Sequence, residues 1–476
     1  MKLFSRPFLP MLLLAGLVCI LATGCRGTTA AADPLRVGWI SDLHFNPFHD
    51  PAVAKQLAAA PAAQWDGILA ASGPNARLPA IGDETNRSLL ESTLAALRED
   101  QAEPAFLVFT GDFLPYQFRE NYIRLTGDPS EAGFRQFTDR TLAYLVSRLR
   151  RHFPATAIYF CLGNNDSYEG DYQQTANGPF LKNTAPLFAD RLLADDANRR
   201  RLRTDYPAFG NYLVILPGMP NRGLIILDAN MMSPRYTGGD AAGLAQLDWL
   251  EARLNANPDG QFWILMHIPP GVDVFATLNA NPGQGRVGPV TTFFTPAHQA
   301  RLFDILRRHA GQIKLVLAGH IHRDDFRLIP WPAGTAQPRT VVQINTAVAP
   351  VYGNNPALKI LTVDPRTLAL LDYRVRSLDL VHGRTQWQDS YTFSTTYPQA
   401  ATSNPDGMQI LWDMIQPGTP ESGNFAKRQV TGGQPEITPG NANSYWQGMR
   451  CLDPDEWRQK INLPTVPLSV PPGRHE

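Results

Sequence analysis

Five short segments carry side chains that bind metal ions: Asp42-Leu43-His44, Gly111-Asp112, Gly163-Asn164-Asn165-Asp166, His267, and Gly319-His320-Ile321-His322. They stand on the first residues after the apolar runs RVGWIS, FLVFT, YFCL, FWILM and LVLA respectively. Singly, each reads as a turn, because Gly, Asn and Asp dominate turns. Five in series, all bearing oxygen or nitrogen donors, read instead as one site. In Asp-x-His and His-x-His, alternate residues of an extended segment face the same side, so both members of each pair can reach one centre. Of ten histidines, only His44, His267, His320 and His322 occupy such exits.

The donor types narrow the chemistry. Carboxylate, amide oxygen and imidazole together suit two divalent ions, with zinc preferred and manganese or iron as alternatives; the lack of thiolates argues against a structural zinc site. Donors at the carboxyl ends of strands lie where α/β sheets form their binding crevices. No Gly-rich phosphate loop of Walker type occurs, nor any G-x-S-x-G elbow.

The elements that must position these residues are legible as alternating runs. Short apolar, β-branched stretches predict strands at 35–41, 105–110, 157–162, 212–216, 223–228, 262–266, 313–318, 341–345 and 358–363. Helical patterns fall between many of them, at 88–100, 135–153, 243–256 and 296–310. Strands apolar on both faces, alternating with helices, predict sheets covered by helices. Their number predicts two stacked sheets. From about residue 385 the text turns polar and Pro/Gly-rich with scattered aromatics, which predicts a small, mainly helical lobe over 385–476 after a main domain over 35–384.

With 43 Lys+Arg against 43 Asp+Glu, no net charge steers the chain toward nucleic acid or anionic lipid. The first 25 residues have the pattern of an export signal: Lys2 and Arg6, then the apolar FLPMLLLAGLVCIL (8–21), then small residues. That apolar segment is shorter than the roughly 20 residues that span a bilayer comfortably. Leu21-Ala22-Thr23-Gly24-Cys25 resembles a bacterial lipobox, which makes Cys25 the lipidation site and 26–34 a tether. Arg26 after it favours an outer-membrane anchor facing the periplasm; simple cleavage and secretion is the alternative. Cys161 and Cys451 are then the cysteines left to the mature chain, too few for a disulfide framework, and Cys161 reads as a buried thiol.

Taken in order, Asp-x-His, Gly-Asp, Gly-Asn-x-Asp, a lone His and Gly-His-x-His resemble the calcineurin-like metallophosphoesterases. MHIPPG (266–271), GHIHRDDF (319–326), APVYGNNPALKIL (349–361) and QLDWLEARL (246–254) resemble the acid sphingomyelinase-like branch and its endopolyphosphatase relatives. The resemblance covers about 35 to 380. It implies a four-layer α/β/β/α sandwich. It also implies one ion held by Asp42, His44, Asp112 and His322, and a second by Asp112, Asn164, His267 and His320, with Asp112 bridging. Two cations about 3.5–4 Å apart need an anionic bridge and lower the pKa of a shared water toward neutrality, so that a hydroxide can attack phosphorus in line.

Two positions depart from the family. Asn165 stands where histidine is usual, and asparagine donates hydrogen bonds but is no general acid. Tyr116 stands where the branch carries a second histidine, and a phenol near its usual pKa of about 10 is a weak acid. Both remain candidate catalytic residues. The reading is a metal-dependent phosphodiesterase acting on a small-molecule phosphoester, with no nucleic-acid scaffold. The alternatives are a nucleotide or polyphosphate hydrolase and, in another class, a metal-binding envelope protein of weak catalysis. Among lesser candidates, Asp83 and Glu84 are expected to cap a helix, Asn354 and Asn355 to form a turn, and Tyr168, Tyr236 and Tyr352 could wall a pocket.

Overall fold

The structure, a computed structural model, describes residues 33–98, 103–281, 287–329, 340–400 and 402–461. Residues 1–32, with the expected signal and Cys25, lie outside the described residues. Within them, no helix is long and apolar enough to cross a membrane.

The strands are β1 (Leu35–Ile40), β2 (Phe106–Phe109), β3 (Ala157–Phe160), β4 (Tyr212–Ile215), β5 (Arg222–Ile226), β6 (Gln261–Leu265), β7 (Ile313–Ala318), β8 (Asp325–Leu328), β9 (Val341–Ile344), β10 (Ala357–Val363), β11 (Leu370–Leu378) and β12 (Trp387–Thr392). They form two six-stranded sheets, ordered β12-β11-β10-β1-β2-β3 and β4-β5-β6-β7-β9-β8. β1, β2 and β3 pair in parallel, as do β5, β6, β7 and β9.

Side-chain alternation places the second sheet between two apolar layers. Along β6, Trp263 and Leu265 join the large core that also holds Val37, Trp39, Val108 and Tyr159 of the first sheet. Phe262 and Ile264 point the other way, into a cluster with Leu247 and Leu250 of helix Asp240–Asn255 and Leu302 and Ile305 of helix Pro296–Arg308. β7 alternates likewise, Leu315 and Leu317 against Val316 and Ala318. A strand buried on both faces has no polar alternate, which is why these runs read as continuous apolar text. The sheets meet directly where the Phe106 and Trp263 rings lie 6.0 Å apart. At one edge the Tyr212 hydroxyl donates to Phe160 O at 2.8 Å and accepts from Phe160 N–H at 3.1 Å. On the outer face of the first sheet, a Cβ on Gly38 would lie 2.6 Å from Leu107 and 3.2 Å from Leu97, so glycine there lets helix Arg87–Arg98 sit close. The architecture is the four-layer α/β/β/α sandwich.

All nine expected strands and all four expected helices are present, within a few residues at each end. Three strands escaped notice. β8 and β12 are polar in composition (DFRL and WQDSYT), and β11 (LLDYRVRSL) reads as mixed text. Helices Pro179–Leu192 and Asp196–Phe209 were hidden by internal Pro186 and Pro207. Past Phe393, short helices at Pro405–Met414, Pro420–Gln429, Ala442–Gly448 and Pro454–Lys460 dominate. Here Trp412 and Trp446 stack at 4.1 Å and each Nε1–H donates to the other's carbonyl. Cys161 and Cys451 are both free and buried.

Helix Glu131–His152 is fastened to Arg87–Arg98 by a two-pronged ion pair, Arg148 donating to Glu91 at 2.6 and 2.8 Å, with His152 at 3.1 Å. Burial works to raise Glu91, but His152 and Arg148 outweigh it and hold the carboxyl down at about 2. A depressed carboxylate contributes stability above its unfolded pKa of about 4.3 and loses it as pH falls toward the folded value. Glu91→Gln should therefore lower Tm by about 2 °C at pH 7, and by progressively less below pH 4, in thermal melts across a pH series.

Candidate metal centre

Every strand that carries a proposed donor ends at the same rim of the sandwich: β1, β2 and β3 from one sheet, β6 and β7 from the other. The turns that follow are tight and locked to one another. Asp42 N–H donates to Gly111 O (3.0 Å), His44 N–H to Asp112 O (2.9 Å) and Gly319 N–H to His267 O (2.9 Å). Asp166 stabilises the rim from beneath, accepting from the backbone of Phe113, Leu114 and Gly163 at 2.8–3.0 Å.

The backbone is strained where the donors sit. Asp42, His44, Asp112, His320 and His322 all have positive φ, between 39° and 74°. For a residue with a Cβ this region costs of order 1–3 kcal/mol and persists only where the surroundings impose it. Gly163 is required by proximity, since a Cβ there would lie 2.1 Å from Asp112 Oδ1.

The donor atoms converge. His44 Nε2 lies 3.1 Å from His322 Nε2 and 3.3 Å from Asp112 Oδ2, and His322 Nε2 lies 3.4 Å from Asp42 Oδ1. On the other side, Asn164 Oδ1 lies 3.1 Å from His267 Nε2 and 2.9 Å from His320 Nδ1, while His267 Nε2 is 3.3 Å from Asp112 Oδ2. Two ligands bound at about 2.1 Å and 90–110° apart lie roughly 3.0–3.4 Å from each other. The spacing therefore suits two adjoining ions. Asp112 Oδ2 stands between the sets; Asp42 also reaches toward His267, at 3.8 Å. Two buried groups, Asp42/His44/His322 and Asp42/Asp112/His267, each bring three donor atoms within 4.8 Å. The shorter contacts make Asp112 the better bridge.

Tautomers sharpen the fit. Nδ1–H of His44 donates to Leu114 O (3.2 Å) and Nδ1–H of His267 to Thr110 O (2.6 Å), which leaves each Nε2 lone pair aimed at other acceptors. Without a cation this is repulsive, and the titrations register it. Burial raises Asp42 to about 7 and lowers His44 to about 4 and His320 to about 3. Burial would also lower His267, but Asp112 beside it raises the ring to about 10, so that its proton serves as the missing positive charge. Imidazoles kept neutral with fixed outer hydrogen bonds are ready to ligate. The residues fit a pair of divalent ions.

Asn165 is turned onto the bridge: its N–H and Nδ2 donate to Asp112 Oδ1 and Oδ2 at 2.9 and 3.0 Å. Tyr116 stacks on His44 (4.3 Å, 17°) and meets Tyr352 edge-on at 6.1 Å. Burial, with Asp112 nearby, pushes its phenol well above the ordinary value. Glu84 does not cap the next helix, which Asn86 caps; it accepts from Tyr116 N–H (2.6 Å) and Asn46 Nδ2 (2.8 Å). Asn354 and Asn355 make turn contacts, as expected. Tyr168 is buried against Asp139, whereas Tyr352 is 56% exposed and lines a cleft of about 390 Å³ that opens onto the donors. Asp171, Tyr172 and Arg235 also line it. They went unnoticed because DYQQ and SPRY are polar loop text without periodicity.

The sequence model described as "Calcineurin-like phosphoesterase" matches residues 35–324, a span that contains every donor named above. The chain is 27% identical over 418 residues to "Acid sphingomyelinase-like phosphodiesterase 3b" of Mus musculus, covering 83% of this chain and 82% of that protein. It is 25% identical over 331 residues to "Sphingomyelinase phosphodiesterase D" of Dictyostelium discoideum, covering 66% of each. It is 24% identical over 423 residues to "Cyclic GMP-AMP phosphodiesterase SMPDL3A" of Homo sapiens, covering 81% and 83%.

Convergent acceptors make divalent ions a folding ligand. Zinc or manganese at about 1,000 times its Kd should stabilise the protein by about 4 kcal/mol, read as a rise in Tm. Gly163→Ala, which drives a methyl into Asp112, should suppress most of that rise while leaving the metal-free melt within a few degrees of the parent.

Proposed function

The chain belongs to the calcineurin-like phosphoesterase family, and from that premise we propose that this rim is the active site of a two-metal phosphodiesterase, with Asp42, His44, Asp112 and His322 holding one ion and Asp112, Asn164, His267 and His320 the other. The observation that carries the reading is the convergence of bare lone pairs, at ligand-to-ligand spacing, on either side of Asp112. The protein is a phosphoester hydrolase that uses divalent metal; zinc is our assignment of the ion, by donor type. Bound there, the ions would supply an activated water and offset charge on the phosphoryl oxygens.

The chain's own residues set what reaction is favoured. Asn165 steadies Asp112 and offers no acidic proton. Tyr116 faces the cleft beside His44 but holds its proton tightly. No imidazole stands in the family's leaving-group position, so the departing oxygen must leave with little help. A diester substrate accords with the relatives named as phosphodiesterases, and the cleft is walled by Tyr116, Phe293 and Tyr352 nearest the donors. We read 35–384 as the phosphoesterase domain and 385–476 as a lobe that contributes Val430, Glu436 and Tyr445 to the far wall. The set of donors is complete, which disfavours a metal-binding protein without catalysis.

We further propose that residues 1–25 direct export and that Cys25 is acylated, which tethers the enzyme to a membrane. Cys25→Ser should move the protein from the membrane fraction to the soluble one; a variant that stays with the membranes would sink the anchor.

Hydrolysis should depend on metal, with chelation or Asp112→Asn lowering kcat at least about 10³-fold. Turnover of a p-nitrophenyl phosphodiester should exceed that of an alkyl phosphodiester by about 10²-fold or more, in line with missing general acid. Asn165→His should narrow that gap by helping the alkyl ester most; equal rates on the two esters would overturn the account.

A further inference from the structure

The chain following Asn164 turns back over the rim and sets Asp171 and Tyr172 against it. Tyr172 N–H donates to Asn164 O at 2.8 Å. Asn164 Nδ2 donates to Asp171 Oδ1 at 2.7 Å. A carboxylate accepts only, so this contact fixes the amide with Oδ1 facing His267 and His320. The Tyr172 hydroxyl lies 3.0 Å from His320 Nε2, with the rings edge-on at 5.9 Å and 89°. Tyr172 is 7% exposed and held at φ 60°, a conformation its neighbours must impose.

Those neighbours come from the loop after β5. The Arg235 guanidinium lies 4.1 Å over the Tyr172 ring and donates to Asp171 Oδ2 at 3.1 Å. Gln173 Nε2 donates to Arg235 O (3.1 Å), and Thr237 Oγ1 donates to Gln173 Oε1 (2.6 Å). The three-residue turn is thus clamped from outside while it clamps two donors within.

We propose that Asp171 and Tyr172, backed by Arg235, are positioning residues that set the affinity of the Asn164/His320 metal position separately from that of the Asp42/His44/His322 position. This rests on the two-ion reading above. The far atom of each donor is held: the amide nitrogen of Asn164 by Asp171, and Nε2 of His320 by Tyr172. With an ion on Nδ1, the ring proton of His320 lies on Nε2 and the phenol oxygen accepts it. The other position is held by different groups, Leu114 O behind His44 and Ser41 Oγ on Asp42 at 2.5 Å. Loss of an outer partner of this kind weakens metal affinity about 10–100-fold.

The experiment is a zinc titration of metal-stripped full-length protein by calorimetry, with bound metal counted after equilibrium dialysis. The wild type should take up two ions. In Tyr172→Phe and Asp171→Ala the weaker binding event should lose about 10–100-fold in affinity while the tighter one changes less than about threefold, so dialysis at intermediate zinc leaves one ion. Asp171→Asn keeps an amide oxygen to accept from Asn164 and should recover most of the loss, which a merely structural role would not give. Equal weakening of both events, or no change in either with two ions still bound by the wild type, would overturn the inference alone. A wild type that binds fewer than two ions would overturn the two-ion reading and this inference with it.

Discussion

The constraint on which the structure turns is electrostatic. Asp42, His44, Asp112, Asn164, His267 and His322 direct lone pairs into one buried space, and the outer hydrogen bonds of His44 and His267 prevent those rings from turning to relieve it. Burial without compensation is costly for charge, and here the protein leaves the compensation to cations. The positive backbone angles at five donors are part of the same arrangement. The interlocked rim imposes them, and the cores of both sheets impose the rim.

That explains why so large a scaffold serves so small a site. The donors come from the ends of five strands in two sheets, so their mutual spacing depends on how the sheets stack. Stacking is fixed by inward-facing residues such as Trp39, Trp263 and Leu317, and by direct contacts such as Phe106 on Trp263 and Tyr212 on β3. Ligand crevices at the carboxyl ends of parallel strands are general to α/β folds. What is particular here is that two such ends face each other across Asp112.

The strands that build the site were legible because both their faces are buried. RVGWI, FLVF and IKLVLA can be little else, and the glycine or polar residue after each marks where the ladder stops. The donors were legible for the same reason, since imidazole and carboxylate at successive exits are hard to explain otherwise. β8 and β12 were not legible, because DFRL and WQDSYT owe their place to partners distant in sequence. Nor was the direction of Asn165: composition told that it lacks an acid, but only geometry shows its amide turned onto Asp112. Glu84 was misread as a cap because its true partner, Tyr116 N–H, lies 32 positions away. Tyr172 gave no signal, since a tyrosine in a polar loop is silent until its hydroxyl is seen against a histidine.

The His44–His322 contact joins residues 278 positions apart. No ion can be gripped at that position until nearly the whole phosphoesterase domain has been synthesised and its second sheet has closed on the first. The metal that ends up in the protein is therefore selected by the surroundings in which the chain finishes folding, not by those in which translation began.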